Sequence, residues 1–121
     1  MKRDMDFVRK VLMTVEASDD SVFDASKLVD GEHNVAFVLH HIELLRDAGY
    51  IEAAVSYYKS GGGQALVKRI TWEGYEYLDV VRNDTVWNRT KSWVANTVGS
   101  TSFELFKMAA VEVTKEMLGF G

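Results

Sequence analysis

The sequence predicts an α+β fold, and three observations carry that prediction. The stretch His33–Ala53, HNVAFVLHHIELLRDAGYIEA, has the 3.6-residue spacing of a helix that buries one side and stops at Gly49. It then passes straight into an extended run at Tyr50-Ile51. Two alternating runs, Ile51 to Lys59 and Gln64 to Thr71, flank Ser60-Gly61-Gly62-Gly63, the mark of a β-hairpin. Helical patterns with capping residues stand before this block and after it.

At 121 residues the chain has the size of one domain with a real core. Apolar residues make up 47% and charged residues 26%, an ordinary globular composition rather than a disordered one. No apolar run reaches the roughly 18 residues of a membrane span, and no signal-peptide pattern opens the chain, so a cytoplasmic location is expected. The absence of cysteine excludes disulfides, thiolate metal sites and a cysteine nucleophile. With no proline either, helix ends must be set by caps and glycines. The net charge of -4 arises entirely before residue 51, where ten acidic side chains face six basic ones.

The elements follow in order. Residues 1–17 open with KRD and continue as a helix, with Met5, Val8, Val11, Leu12 and Val15 as its apolar stripe and Asp4 as its cap. Ser18-Asp19-Asp20 is a loop. In 21–31, SVFDASKLVDG, there is room for a short strand at Val22-Phe23 and a helical stub at Ala25 to Val29. Between Glu16 and Glu32 six acids accompany one base, Lys27. The central helix takes Asp30 as N-cap and Gly49 as terminator. A wheel centred on Ile42 turns Val35, Val38, Leu39, Leu45 and Arg46 inward and His33, Phe37, His40, Leu44 and Asp47 outward. In the hairpin, Ile51, Ala53, Val55 and Tyr57 share one face, as do Leu66 and Ile70 of the return strand. The glycine triplet suits a tip because glycine takes positive φ cheaply. A phosphate-cradling loop would need a GK[ST] and a following helix N-terminus, and neither is present.

Thr71 caps the next helix, TWEGYEYLDVVR, whose buried side is Trp72, Tyr75, Leu78 and Val80 or Val81, with Asn83 at its end. A further helix begins at Asp84, carries Val86, Thr90, Trp93, Val94 and Thr97 on one face and stops at Gly99. Thr101 and Glu104 form a capping box for the last helix, with Phe103, Phe106, Ala110, Val113 and Met117 as its stripe and Gly119 as its stop. Leu105 and Met108 fall on its other side. Residues 1–83 are expected to form the core unit and 84–121 a helical extension packed on it as one compact domain.

Helix, short strand, helix, glycine-tipped hairpin and capped helix is the order of a winged helix-turn-helix domain, and LLRDAGYIEA with RITWEGYEYLD is similar to text common in such domains. More specifically, MKRDMDFVRKVL, VLHHIELLRDAGYIEA, ITWEGYEYLDVVRNDTVWNRTK and SFELFKMAAVEVTKEMLG resemble the domain-of-unknown-function family 2513 of bacteria and prophages. That resemblance covers most of the chain and implies frequent occurrence in mobile elements. It implies no established reaction and no catalytic residues to carry over.

Candidate chemistries can be weighed on residue types and spacing. His33, His40 and His41 are the three histidines, but His33 and His40 lie about 10 Å apart along a helix and His40 and His41 point about 100° apart. No HExxH or i, i+4 pair is present, so no metal or cofactor is expected. No serine lies in a GxSxG context. The pairs Glu73 with Glu76 and Glu112 with Glu116 sit on solvated faces, where like charges repel. No catalytic residue is assigned and no enzymatic activity is expected.

DNA binding has a basic, aromatic hairpin in its favour, with Lys59, Lys68 and Arg69 beside Tyr57 and Tyr58. Against it, the outer side of the central helix offers Phe37, His40, Glu43, Leu44 and Asp47, with none of the usual base readers, and the preceding segment is acidic. Phe37 and Leu44 edged by Glu43 and Asp47 suit a protein partner with a basic surface better. Leu105 and Met108, surplus to the main stripe, suggest a homodimer through the last helix. The expectation is therefore a binding protein that acts on another protein, as an inhibitor or modulator of a host or defence factor. DNA binding through the wing is the alternative.

Overall fold

The computed structural model describes residues 1–97 and 102–119. The chain divides into two units, Met1–Tyr75 and Glu76–Gly121. Among the described residues there are five α-helices and one three-stranded antiparallel sheet. No described helix is long and apolar enough to cross a membrane.

In the first unit, helix α1 (Met5–Ala17) starts on Asp4, whose carboxylate accepts the Phe7 N–H at 3.0 Å. It buries Phe7, Val8, Val11 and Leu12. The expected stripe omits Phe7, and its Met5 and Val15 are only half-buried. Strand β1 (Phe23–Asp24) follows, one residue later than expected, with Val22 exposed. In place of a helical stub there is a single 3₁₀ turn, Ala25–Leu28, and the chain is extended again at Val29. The Asp24 carboxylate takes the Ser26 N–H at 2.9 Å, a local bond that competes with helix propagation.

Helix α2 (Val35–Asp47) is capped by Asn34, which accepts the Phe37 N–H at 2.9 Å, and not by Asp30. Asp30 closes the preceding turn instead, accepting from the Glu32 N–H at 2.9 Å and the His33 N–H at 2.8 Å. The helix buries Val38, Leu39, His41, Ile42 and Leu45. Val35 has an inward wheel angle yet is exposed, because a cleft of about 250 Å³ opens between it and Gly63, Gln64 and Ala65. The predicted terminator holds: Gly49 has φ 82°, its N–H reaches the Arg46 carbonyl, and the Tyr50 N–H reaches that of Leu45. This pair of bonds is a Schellman closure, which aims the chain directly into the sheet.

Strands β2 (Ile51–Tyr57) and β3 (Gly63–Ile70) form the hairpin, and the sheet order is β1-β3-β2. Gly61 and Gly62 take positive φ at the tip. Gly63 is needed for space instead, since a Cβ there would run into the Ser56 carbonyl and approach Leu39 to 2.9 Å. The expected alternation of Leu66 with Ile70 fails, because the register shifts opposite Glu52/Ala53 and leaves Lys68 as the extra residue of a bulge. The bulge changes the parity of the strand, so Ala65, Val67 and Ile70 are buried and Leu66 is not. Tyr57 likewise ends exposed rather than on the covered face.

Helix α3 (Trp72–Val81) begins in this unit. Thr71 Oγ1 accepts the Gly74 N–H at 3.1 Å and donates to the Gly49 carbonyl at 2.5 Å, tying the start of α3 to the end of α2. Gly74 lies directly on the Tyr50 carbonyl, and a Cβ would also come within 2.7 Å of Ile70. That contact sets the rotation of the helix. The expected inner residues Trp72 and Tyr75 are 74% and 42% exposed as a result. A glycine carries no hydrophobic signal, which is why the wheel misplaced them.

The second unit takes up α3 with Tyr77, Leu78 and Val81 buried. Asn83 opens the next helix rather than ending this one, accepting the Thr85 and Val86 N–H groups at 2.9 and 3.1 Å. Helix α4 (Asp84–Thr97) buries Val86, Trp87, Thr90 and Val94. The stripe is therefore turned toward Trp87, which packs on Phe106 at 4.8 Å between ring centroids, and the expected Trp93 and Thr97 are exposed. Thr90 satisfies its buried hydroxyl on the Val86 carbonyl at 2.7 Å. Helix α5 (Phe103–Met117) is capped by Ser102, which accepts the Leu105 N–H, and buries Phe103, Phe106, Ala109 and Ala110. Val113 is half-buried and Met117 exposed. Gly119 has φ 81°, as a terminator requires. Gly99 and Thr101, assigned to a stop and a capping box, lie outside the described residues.

Candidate functional site

The outer side of α2 is anchored from beneath by an aromatic cluster. The Phe37 ring packs against Phe7 at 4.9 Å, His33 at 5.1 Å and His41 at 4.3 Å, and Phe7 also touches His33 and His41. Phe37 is thus half-buried and fixed from three directions. The link between α1 and α2 runs through His41, which is fully buried. Its Nδ1 lies 2.9 Å from the Phe37 carbonyl, and its Nε2 lies 2.9 Å from the Asp4 backbone nitrogen. A carbonyl only accepts and an amide N–H only donates, so the ring is neutral with its proton on Nδ1. Burial pushes the His41 pKa below the usual histidine value, while the bond to Phe37 opposes that shift.

Beside this cluster, Asp30 carries hydrogen bonds from the Glu32 N–H and the His33 ring, which hold its pKa down to about 2. Lys10 stands 3.6 Å from the same carboxylate. His40 is half-buried with its ring perpendicular to that of His41 at 5.3 Å, and its Nε2 is shielded from solvent without a hydrogen-bond partner among the described residues. Further along α2, Leu44 is half-buried and Asp47 exposed. Glu43 accepts a hydrogen bond from the Tyr57 hydroxyl, which raises the phenol pKa and joins α2 to the hairpin. The only cation on the helix, Arg46, leans on Asp47 at 3.6 Å. The surface that remains is acidic with an apolar centre.

The hairpin distributes its basic residues rather than clustering them. Lys59 and Tyr58 are exposed at the tip, while Lys68 sits at the bulge near the other end of β3. Arg69 is paired with Glu52 at 2.7 Å, and that guanidinium holds the Glu52 carboxyl below its usual range. Lys68 borders a pocket that also includes Glu16 and Asp20. Tyr57, committed to Glu43, is not a free stacking platform.

Leu105 and Met108 are 55% and 62% exposed, on the outside of α5. With Trp93, Val94, Ala109 and Val113 they line a groove of about 440 Å³ along α4 and α5, edged by Glu112 and Glu116. Trp93 was expected inside, so the sequence understated how apolar this face is.

Among the described residues no group of three His, Cys, Asp or Glu side chains is placed to hold a metal ion. Both nitrogens of His41 are engaged, which removes it as a ligand. The role of His41 was only partly legible: its position next to an inward residue was visible, whereas its bond to Asp4 spans 37 positions.

A family model described as "Hypothetical protein (DUF2513)" matches residues 2–101. An uncharacterized protein of Haemophilus influenzae is 33% identical over 120 residues, which is 98% of this chain and 99% of that protein. No solved structure matches the chain.

Proposed function

The chain belongs to the DUF2513 family of hypothetical proteins, and from that premise we propose that it is a non-enzymatic binding protein of winged-helix type, carried by a phage or mobile element, that docks another protein on the outer side of α2. The winged-helix reading draws on the order α1, β1, 3₁₀ turn, α2, β2, β3 and on the sheet order β1-β3-β2. One observation carries the choice of partner. The helix that would enter a DNA groove presents Glu43, Leu44 and Asp47 with its single cation turned onto Asp47, a surface that repels phosphate and suits a basic protein face. Inhibition or modulation of a host or defence factor is the form of action this fits.

Phe37 belongs to the candidate surface but is also packing against Phe7, so the informative variant is Leu44→Ala with Asp47→Lys. Affinity capture from lysate of the organism that carries the gene, with and without nuclease, should yield a protein that this variant no longer retains while its thermal melt is unchanged. Capture of the same protein by the variant, or of nucleic acid alone, would overturn the reading.

The alternative, a DNA-binding regulator, draws on exposed Lys59, Tyr58 and Lys68. Retention on heparin at low salt, lost on Lys59→Glu plus Lys68→Glu, would favour it. Flow-through of the native chain is expected instead.

A further inference from the structure

The outer line of α5 has a self-complementary pattern. Its buried side is Phe103, Phe106, Ala109 and Ala110. Roughly opposite, Glu104, Met108, Val111 and Lys115 recur with the 4-3-4 spacing of a helix-pairing seam. Glu104, Met108 and Lys115 are exposed and Val111 is half-buried. The line is apolar at its middle and oppositely charged at its ends. A two-fold axis passing between Ala109 and Ala110 maps 104 onto 115 and 108 onto 111. Two copies of α5 laid antiparallel across that axis therefore bring Glu104 opposite Lys115 twice, and Met108 against Val111 twice. Leu105, beside Met108 around the helix, leads from this seam into the groove shared with Trp93.

We propose that a second copy of this chain covers the face, through an antiparallel α5 pair in which Glu104 of each copy meets Lys115 of the other. Charge complementarity under reversal selects this occupant. A parallel pair would oppose like charges at both ends, and an unrelated partner would have no reason to match the palindrome. Within one helix the two residues are 11 positions apart, about 16 Å, so they do not meet each other. Lys115 does contact Glu112 at 3.5 Å, but both side chains are more than half exposed, and such a pair is readily exchanged. The contact is isologous and closes at two copies. It uses a surface remote in sequence from α2 and stands or falls apart from the reading proposed for that helix.

Sedimentation equilibrium of the full chain across micromolar concentrations should give a mass twice 13.7 kDa at the upper end. Met108→Asp should leave a monomer with unchanged circular dichroism. Glu104→Lys and Lys115→Glu, singly, should each weaken the dimer on the order of tenfold, since each puts like charges together at both symmetric sites. Combined, they should restore native affinity, which no folding defect could mimic. A native chain that stays at 13.7 kDa, a dimer indifferent to Met108→Asp, or a double swap no tighter than the single ones would each overturn the proposal.

Discussion

The two units solve the burial of aromatic side chains differently. In Met1–Tyr75, the rings of Phe7, Phe37 and His41 close on one another and on the backbone, and Phe7 is 2% exposed. In Glu76–Gly121, Trp87 is 2% exposed against Phe106 while Trp93, six residues later on the same helix, is 51% exposed. The first unit closes this cluster between α1 and α2, fastened by Asp4 and Asn34, and leaves Tyr57, Tyr58 and Trp72 exposed as separate side chains on the hairpin and at the start of α3. Among its described residues the second has only helices, and a groove lined by Trp93, Leu105 and Met108 stays open. That open groove is the face on which the proposed α5 pair draws.

Substitutions in each unit test this contrast. The largest effect should come from Phe7→Ala, which empties the centre of the aromatic cluster and should cost about 3–5 kcal/mol in urea denaturation. A loss below about 1 kcal/mol would mean that the cluster is not the keystone of its unit. Next comes Gly74→Val, which forces a side chain onto the Tyr50 carbonyl and should cost about 1–3 kcal/mol through overpacking. Thr71→Ala removes the cap that joins α2 to α3 and should cost about 1 kcal/mol.

The pH dependence is predicted to fall in a definite window. His41 is held neutral, with its pKa below the usual 6.5, so the unfolded chain binds the proton more readily. Its contribution is complete above that value and is lost as the pH falls through it toward the folded-state pKa. Asp30, held near 2, contributes above its ordinary 3.8 and is lost only below that. Melting temperatures measured between pH 7 and 5 should fall, and His41→Leu should flatten that slope. An unchanged slope in the variant would remove His41 from the account. The smallest effect belongs to Trp93→Ala, less than about 0.5 kcal/mol in dilute protein, because most of its ring contacts solvent.

Local signals were legible where a residue acts on its own neighbours. Asp4 as cap, Gly49 as terminator, the Gly61-Gly62 turn and Thr71 as cap all follow from backbone geometry within a few positions. They fix the start of α1, the end of α2, the hairpin turn and the start of α3. Candidate site residues fared less evenly. Leu44, Asp47, Leu105 and Met108 are at least partly open, as their wheel positions suggested. Phe37 is shared between surface and packing, and Arg69 and Tyr57 are already occupied by Glu52 and Glu43.

The start of α1 at Asp4, the stop of α2 at Gly49, the cap of α3 at Thr71, the turn of the hairpin and the acid excess before residue 51 follow from the amino-acid order, because they depend on caps, φ preferences and charge. The caps at Asn34 and Asn83 do not, because several side chains nearby could serve. The facing of α1 and α2 largely follows their apolar stripes, whereas that of α3 and α4 and the parity of β3 come from tertiary contacts. The rotation of α3 is set by the close approach of Gly74 to Tyr50, that of α4 by the seat of Trp87 on Phe106, and the parity of β3 by the bulge at Lys68. Each is a contact between residues distant along the chain or a slip in pairing, and neither leaves a periodic trace in hydrophobicity. The same reason hid the open face of the second unit until Trp93 was seen outside it.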